Sequence, residues 1–268
     1  MINFLLVVVA LALVAFLALM GLVYVNQDRM LFQAPPLTPD NRARFSPWAV
    51  SLAVDDLQLH GWYAPADDPG AALLVYFGGN AEEVSWNLPA LRALGVSVLL
   101  FNYRSYGDSE GAPSEAALQR DALAIVDHGL ALSGLTLARV VVMGRSLGSG
   151  VATYVASQRA VAAVILVTPY DSLVAVGQRC YPWFPVSLLM RNRFESIRLA
   201  PQLPMPLLNL LAAQDEAVPA ELGQRLGRAW GGAVTERMIA GADHINLTSR
   251  DEYRQALAAF LNSLPPER

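Results

Sequence analysis

At 268 residues, the chain has room for one large α/β domain, a class that runs past about 200 residues. It is 54% hydrophobic and 16% charged, with a formal net charge of −4 and no basic run, which argues against a nucleic-acid partner. Its one cysteine, Cys180, rules out an intrachain disulfide; this fits a reducing compartment and does not exclude an oxidising one.

The apolar excess has a local source. Residues 4–25 (FLLVVVALALVAFLALMGLVYV) carry no charge or strongly polar group. As a helix rising ~1.5 Å per residue, this run spans roughly 30 Å of hydrocarbon. No Lys or Arg precedes it and no A-x-A-like site closes it, so the marks of a cleaved secretory signal are missing. The expectation is a single-pass membrane anchor over residues 1–25. Arg29, Arg42 and Arg44, set against Asp28 and Asp40, favour a cytoplasmic location for the domain that follows. Residues 26–47, interrupted by Pro35, Pro36 and Pro39, read as a linker leaving the membrane.

From residue 48 strand-like and helix-like segments alternate. Residues 48–54 and 57–63 flank Asp55 and Asp56 and predict a hairpin or strand pair. Apolar runs at 72–77, 96–101, 140–143, 162–167 and 206–211 predict buried strands, with a weaker last strand at 235–239. Helical periodicity occupies 82–94, 114–132, 147–157, 220–229 and 251–261. This order predicts an α/β domain over residues 48–268, with a mostly parallel sheet of about eight strands flanked by helices. Residues 171–204 break the rhythm. They are rich in aromatics and prolines, and they fall where a short cap over an active site would form.

The most informative stretch is 140–143 (VVVM), which drives directly into Gly144-Arg145-Ser146-Leu147-Gly148. A Gly-x-Ser-x-Gly between a strand and a helix is the pattern of a nucleophile elbow. The serine sits on a tight turn with its hydroxyl above the sheet, and a Cβ at Gly144 or Gly148 would collide with neighbouring backbone. A helix beginning at Leu147 aims unpaired N–H groups and a partial positive charge at the site.

A serine needs a base, and histidine has the suitable pKa. His60 lies in the early strand pair, before the elbow, and His128 lies in a helical stretch. His244 follows the last strand in a short polar loop and is the expected base. The base needs an acid to fix its tautomer. Asp215 and Asp171 each end a strand between Ser146 and His244; the run Asp215 to Pro219, turning straight into a helix, favours Asp215, with Asp171 as the alternative. Asp243 is adjacent to His244 and badly placed to hold the ring from behind. For a developing oxyanion, Leu147 offers its backbone N–H. The loop Gly78-Gly79-Asn80-Ala81 offers a second, from Asn80 or else Gly79, with Asn80 also suited to cap the next helix and Glu82 and Glu83 to its first turn.

With these residues in view, the chain resembles the α/β-hydrolase superfamily, and within it the small membrane-anchored serine hydrolases. The resemblance covers most of residues 48–264. It rests on residues 77–81 (FGGNA), residues 102–111 (NYRSYGDSEG), the elbow, and the pair Asp215 and His244. The family usually has His where this chain has Gly78, and Gly where it has Ser105. The resemblance implies an α/β-hydrolase fold, a Ser146-Asp215-His244 triad, and an oxyanion hole from the N–H groups of Asn80 and Leu147. The expected activity is cleavage of a small-molecule or lipid-like acyl ester or thioester, with no cofactor or metal. Tyr181, Trp183 and Phe184 are candidates for an acyl pocket. A serine peptidase of the same fold, or a catalytically silent binding protein, are the alternatives.

Overall fold

The structure is a computed structural model and describes residues 2–265. Eight strands form one sheet: β1 (Ala49–Val54), β2 (Leu57–Ala64), β3 (Leu73–Phe77), β4 (Ser97–Phe101), β5 (Val140–Arg145), β6 (Ala163–Val167), β7 (Leu207–Ala212) and β8 (Val234–Ile239). Their spatial order is β1-β2-β4-β3-β5-β6-β7-β8. β1 and β2 form an antiparallel hairpin, turned by Asp55 and Asp56 at φ 51° and 62°; a two-residue turn of this hand requires left-handed backbone at both positions. β2 also pairs antiparallel with β4, and every pair from β4 to β8 is parallel.

The helices are α1 (Ile2–Leu31), α2 (Pro39–Phe45), α3 (Leu88–Arg92), α4 (Glu115–Ser133), α5 (Leu147–Gln158), α6 (Leu173–Cys180), α7 (Val186–Leu189), α8 (Ser196–Leu199), α9 (Ala220–Ala229) and α10 (Asp251–Asn262). Strand side chains alternate between faces, so the central strands feed two cores. Val75 and Phe77 of β3 and Val142 of β5 pack with Ile125 of α4, Val151 of α5 and Leu226 of α9. Leu74, Tyr76, Val141 and Met143 pack on the other face with Leu88 of α3 and Phe260 of α10. Burial on both faces explains why β3 and β6 read as unbroken apolar runs, and β4 and β7 as apolar runs with one polar residue each, Ser97 and Asn209.

Two expected segments differ. Residues 82–94 do not form one helix. Ala81 takes φ 54°, Glu83 caps a 3₁₀ turn over Val84–Asn87 by accepting from Ser85 N–H, and only α3 follows. Residues 26–47 are not a free linker either. α1 continues to Leu31, α2 covers Pro39–Phe45, and Phe32 and Phe45 are buried in the two cores. Asn41 donates to Glu83 at 3.2 Å, and Gly107 N–H donates to the Pro35 carbonyl at 2.8 Å. Asn3–Leu31 is long and apolar enough to cross a membrane, and its apolar window lies outside both cores. The insertion 171–204 carries α6, α7 and α8. It is tied to the start of α4 by Glu115, which accepts from the N–H groups of Arg193 (2.6 Å) and Phe194 (3.0 Å).

A buried ion pair locks α4 to the loop after β4. Arg104 donates to both oxygens of Asp121 at 2.7 Å, and both side chains are almost fully buried. Without Asp121, Arg104 keeps only the half-exposed Asp55, 3.1 Å away, so Asp121→Ala should cost about 3 kcal/mol, the low end for breaking a buried pair. In thermal melts this is a fall on the order of 10 °C, since 1 kcal/mol shifts a domain of this size by ~2–4 °C. A melting temperature within a degree of the parent would show that the pair carries no stability.

Candidate active site

β5 ends at Arg145 and α5 begins at Leu147, leaving Ser146 as the single corner residue, at φ 48° and ψ −115°. A non-glycine residue pays of order 1–3 kcal/mol for such a backbone and holds it only where its surroundings insist. Ser146 N–H donates to the Val167 carbonyl at 2.9 Å, and the Ser146 carbonyl accepts from Ser149 N–H at 2.9 Å and Ser149 Oγ–H at 2.6 Å. Both glycines of the motif are obligatory by space. A Cβ on Gly144 would lie 2.2 Å from the Gly148 carbonyl oxygen, and one on Gly148 would lie 2.1 Å from that of Phe77.

Beyond β7, the side chain of Asp215 is buried. Its Oδ1 accepts from the N–H groups of Ala217 (3.0 Å) and Val218 (2.7 Å), and its Oδ2 lies 2.7 Å from His244 Nδ1. His244 Nε2 lies 3.0 Å from Ser146 Oγ. In the tautomer that carries its proton on Nδ1, His244 donates to Asp215, and Nε2 accepts from Ser146 Oγ–H. The expected residues from three separate loops therefore meet in one line.

The competing groups are engaged elsewhere. Asp171 pairs with Arg225 of α9 at 2.6 Å and accepts from Ser172 N–H at 2.6 Å. Asp243 accepts from the N–H groups of Asn246 and Ile245, both at 2.8 Å, which hold its carboxyl below the usual range and shape the His244 loop. His128 stands edge-on to Phe101 with centroids 6.0 Å apart, and burial lowers its pKa.

The loop after β3 reaches Ser146: a Cβ on Gly79 would lie 3.6 Å from Ser146 Cβ. Gly79 N–H is committed to Glu82 Oε2 at 2.6 Å. The Asn80 backbone N–H donates to no acceptor among the described residues. Leu147 N–H, at the first position of α5, has no carbonyl a turn earlier to bind. The Asn80 side chain does not cap a helix. Its Oδ1 accepts from Gln33 N–H, Ala81 N–H and Tyr106 O–H, each at 2.9 Å. Tyr103 O–H donates to the Gly78 carbonyl at 2.8 Å, and a Cβ on Gly78 would lie 2.6 Å from Val84 Cγ1, so the loop is packed around a glycine there. At the other departure from the family pattern, Ser105 holds φ 68°, a conformation that glycine adopts freely.

Two residues escaped the sequence reading. Glu82 accepts from Gly79 N–H (2.6 Å), Tyr76 O–H (2.7 Å) and Asn87 Nδ2–H (2.6 Å), and Arg145 Nη1 lies 3.4 Å away. Arg145 also donates to the His244 carbonyl at 3.0 Å. Burial opposes the Arg145 charge, and Glu82, Tyr76 and Tyr253 together outweigh it, so its pKa is raised; burial, then the Glu82 charge, pushes the Tyr76 phenol well up. This pair joins the Gly79 loop, the elbow and the His244 loop. The one available signal was a charged pair in the two motif loops, Glu82 after Asn80 and Arg145 inside the elbow.

An apolar cavity of about 510 Å³ lies between the end of α1 and the 171–204 insertion, and reaches Asn80 and Ala217. Tyr181 and Phe184 line it. Trp183 does not: it is 93% exposed and stands outside the cavity. A second, open cleft of about 840 Å³ runs past Asp215, His244 and Ile245. Among the described residues, no group of three His, Cys, Asp or Glu side chains converges as a metal site would need.

An uncharacterized protein of Mycobacterium tuberculosis is 38% identical over 195 residues, 71% of this chain and 69% of that one. The lysophosphatidylserine lipase ABHD12 of Macaca fascicularis is 31% identical over 188 residues, 62% of this chain and 47% of the lipase, so the chain spans about half of that relative. Among solved structures, the Pyrococcus furiosus esterase Pf2001 superposes with a TM-score of 0.69 at 19% identity, over 87% of this chain and 98% of the esterase, a likeness of fold. The profile described as "Alpha/beta hydrolase family" matches residues 59–258, most of the chain. The chain belongs to the alpha/beta hydrolase family.

Proposed function

We propose that this hydrolase is a serine hydrolase that cleaves carboxylic ester or thioester bonds through an acyl-enzyme, held at a membrane by α1. The observation that carries the reading is the run of contacts from Ser146 Oγ to His244 (3.0 Å) and on to Asp215 (2.7 Å), beside the N–H groups of Asn80 and Leu147. His244 Nε2 takes the serine proton as Oγ attacks the carbonyl carbon. The carbonyl electron pair moves onto oxygen, where the N–H groups of Asn80 and Leu147 receive the charge. As the tetrahedral adduct collapses, the bond to the leaving oxygen or sulfur breaks, and His244 gives that atom its proton. Water, deprotonated by His244, then attacks the acyl-serine; the carboxylic acid departs and Ser146 regains its proton. Asp215 holds the Nδ1 proton and stabilises the imidazolium throughout.

The substrate reading draws on three supports. The macaque relative is by name a lipase acting on a lysophospholipid. The cavity beside Asn80 is apolar, with Tyr181 and Phe184 in its wall, as an acyl chain requires. α1 has the length and composition to cross a bilayer once, which puts the site near acyl lipids. Arg29, Arg42 and Arg44 favour the cytoplasmic side for the catalytic domain.

A fluorophosphonate probe should label the full-length protein at Ser146, with Oγ displacing fluoride, and Ser146→Ala should abolish labelling. A folded parent that does not label would leave the silent-scaffold reading instead. Asp215→Asn should lower kcat by about 10⁴-fold through loss of the tautomer, while Asp171→Asn stays within a few-fold; a larger loss at Asp171 reverses the assignment of the acid. Glu82→Gln should lower kcat roughly 10- to 100-fold with little change in KM, because the oxyanion loop and the His244 loop lose their shared charge and drift from reacting geometry. A KM-only effect would show that Glu82 shapes substrate binding instead.

A further inference from the structure

The apolar cavity has a wall that a hydrolase domain alone does not supply. Val23, Gln27 and Met30 of α1 line it, at the four- and three-residue spacing that puts side chains on one helical face. Facing them are Val176 and Cys180 of α6 and Phe184. The opposite face of α1 looks away, with Val25 71% exposed.

This wall is held at both ends. Gln27 donates to the Leu189 carbonyl at 3.1 Å and accepts from Arg191 N–H at 2.7 Å. Asp28 pairs with Arg191 at 2.8 Å and accepts from Asn192 Nδ2–H at 2.7 Å, and the Arg191 guanidinium also lies 5.3 Å from the Tyr24 ring. At the far end, Gln33 N–H binds Asn80 Oδ1 at 2.9 Å. The helix therefore docks to the insertion on one side and to the oxyanion loop on the other.

The depth is also informative. The apolar run ends at Val25, and the polar Asn26 and Gln27 and the charged Asp28 follow. The cavity begins at Val23, at the level where α1 leaves hydrocarbon, and ends at Asn80, beside the proposed oxyanion donor. Two large apolar side chains stand unburied next to its lining residues, Trp183 (93% exposed) and Leu188 (82% exposed), as suits a surface in contact with a bilayer interface.

We propose that the last turns of α1 form one wall of the acyl-binding cavity, so that the membrane helix itself selects a long-chain acyl ester drawn from its own bilayer. This rests on the hydrolase reading above. The acyl chain lies along Val23, Gln27 and Met30, with the carbonyl at Asn80 and Ser146 and the polar leaving group toward the open cleft at His244 and Ile245.

The test uses the full-length protein and compares kcat/KM on p-nitrophenyl laurate and p-nitrophenyl acetate. Burial of a chain gains about fourfold per methylene. Met30→Trp fills the cavity from the α1 side and should lower the laurate-to-acetate ratio at least about tenfold. Val25→Trp, on the opposite face, should leave both rates unchanged. An unchanged ratio for Met30→Trp, or an equal loss from Val25→Trp, overturns the proposal.

Cys180, the only cysteine, gives a readout that does not depend on turnover. After Ser146 reacts with a dodecyl fluorophosphonate, maleimide modification of Cys180 should slow at least several-fold; after an ethyl fluorophosphonate it should not. Equal Cys180 reactivity after both probes refutes the α1-lined path while leaving the hydrolase standing. Failure of even the ethyl probe to label Ser146 removes the hydrolase and this inference with it. In vesicles, laurate hydrolysis should follow the mole fraction of ester in the protein's own bilayer; dependence on bulk ester concentration alone overturns the bilayer source.

Discussion

The backbone contact between the first turn of α5 and the end of β3 governs the architecture of the site. Gly148 lies against the Phe77 carbonyl so closely that a Cβ would sit 2.1 Å from its oxygen. Backbone pressed on backbone leaves no rotamer to adjust, so the approach of α5 to the sheet is narrowly set. That same contact turns Ser146 into its strained corner and brings it beside the 78–80 loop. Ser146 and the 78–80 loop are thus placed by one constraint rather than by two independent ones.

The charged groups around this corner act on it collectively. Glu82 gathers three donors from the Gly79 loop and its surroundings, while Arg145 reaches across to the His244 carbonyl. Asp215 and Asp243 each turn their carboxylates onto backbone N–H groups of their own loops. Each loop is therefore stiffened locally and then tied to the next. Pre-organisation of this kind is what a reaction with a developing oxyanion demands, because dipoles already in place need not reorganise as charge appears.

How much of this is legible in the sequence varies with the range of the interaction. The elbow is legible because a close backbone approach admits only glycine, and glycine at fixed spacing leaves a mark in the chain. The central strands are legible because burial on both faces leaves runs of Val, Leu and Ile. The segment 82–94 misleads because Glu82 and Glu83, good residues for a first helical turn, are drawn off by Gly79, Tyr76 and Asn102. The segment 26–47 misleads because its polar, Pro-interrupted composition hides Phe32 and Phe45, which anchor it in the cores. Asp171 and Asp215 end strands alike; the turn into a helix after Asp215 favours it in the sequence, and in the fold Asp215 meets His244 while Asp171 meets Arg225. The Arg145–Glu82 tie joins residues 63 apart, and its only mark in the chain is a charge of each sign in the two motif loops.

α1 is 30 residues long, about 45 Å at the rise of a helix, against roughly 30 Å of bilayer hydrocarbon. On the membrane-anchored reading, its last turns stand above the bilayer as a rigid stalk, clamped to the insertion by Asp28 and Arg191. A flexible tether would spread the catalytic body over a volume that grows with its length, diluting the site relative to the surface. A clamped stalk has no such volume: the standoff is set by helical rise, and encounter with a leaflet-borne substrate reduces to diffusion in two dimensions. Lengthening or shortening α1 by a few residues would then both raise the site and rotate it about the stalk by ~100° per residue, so that register as well as height would decide whether the cavity still faces the lipid.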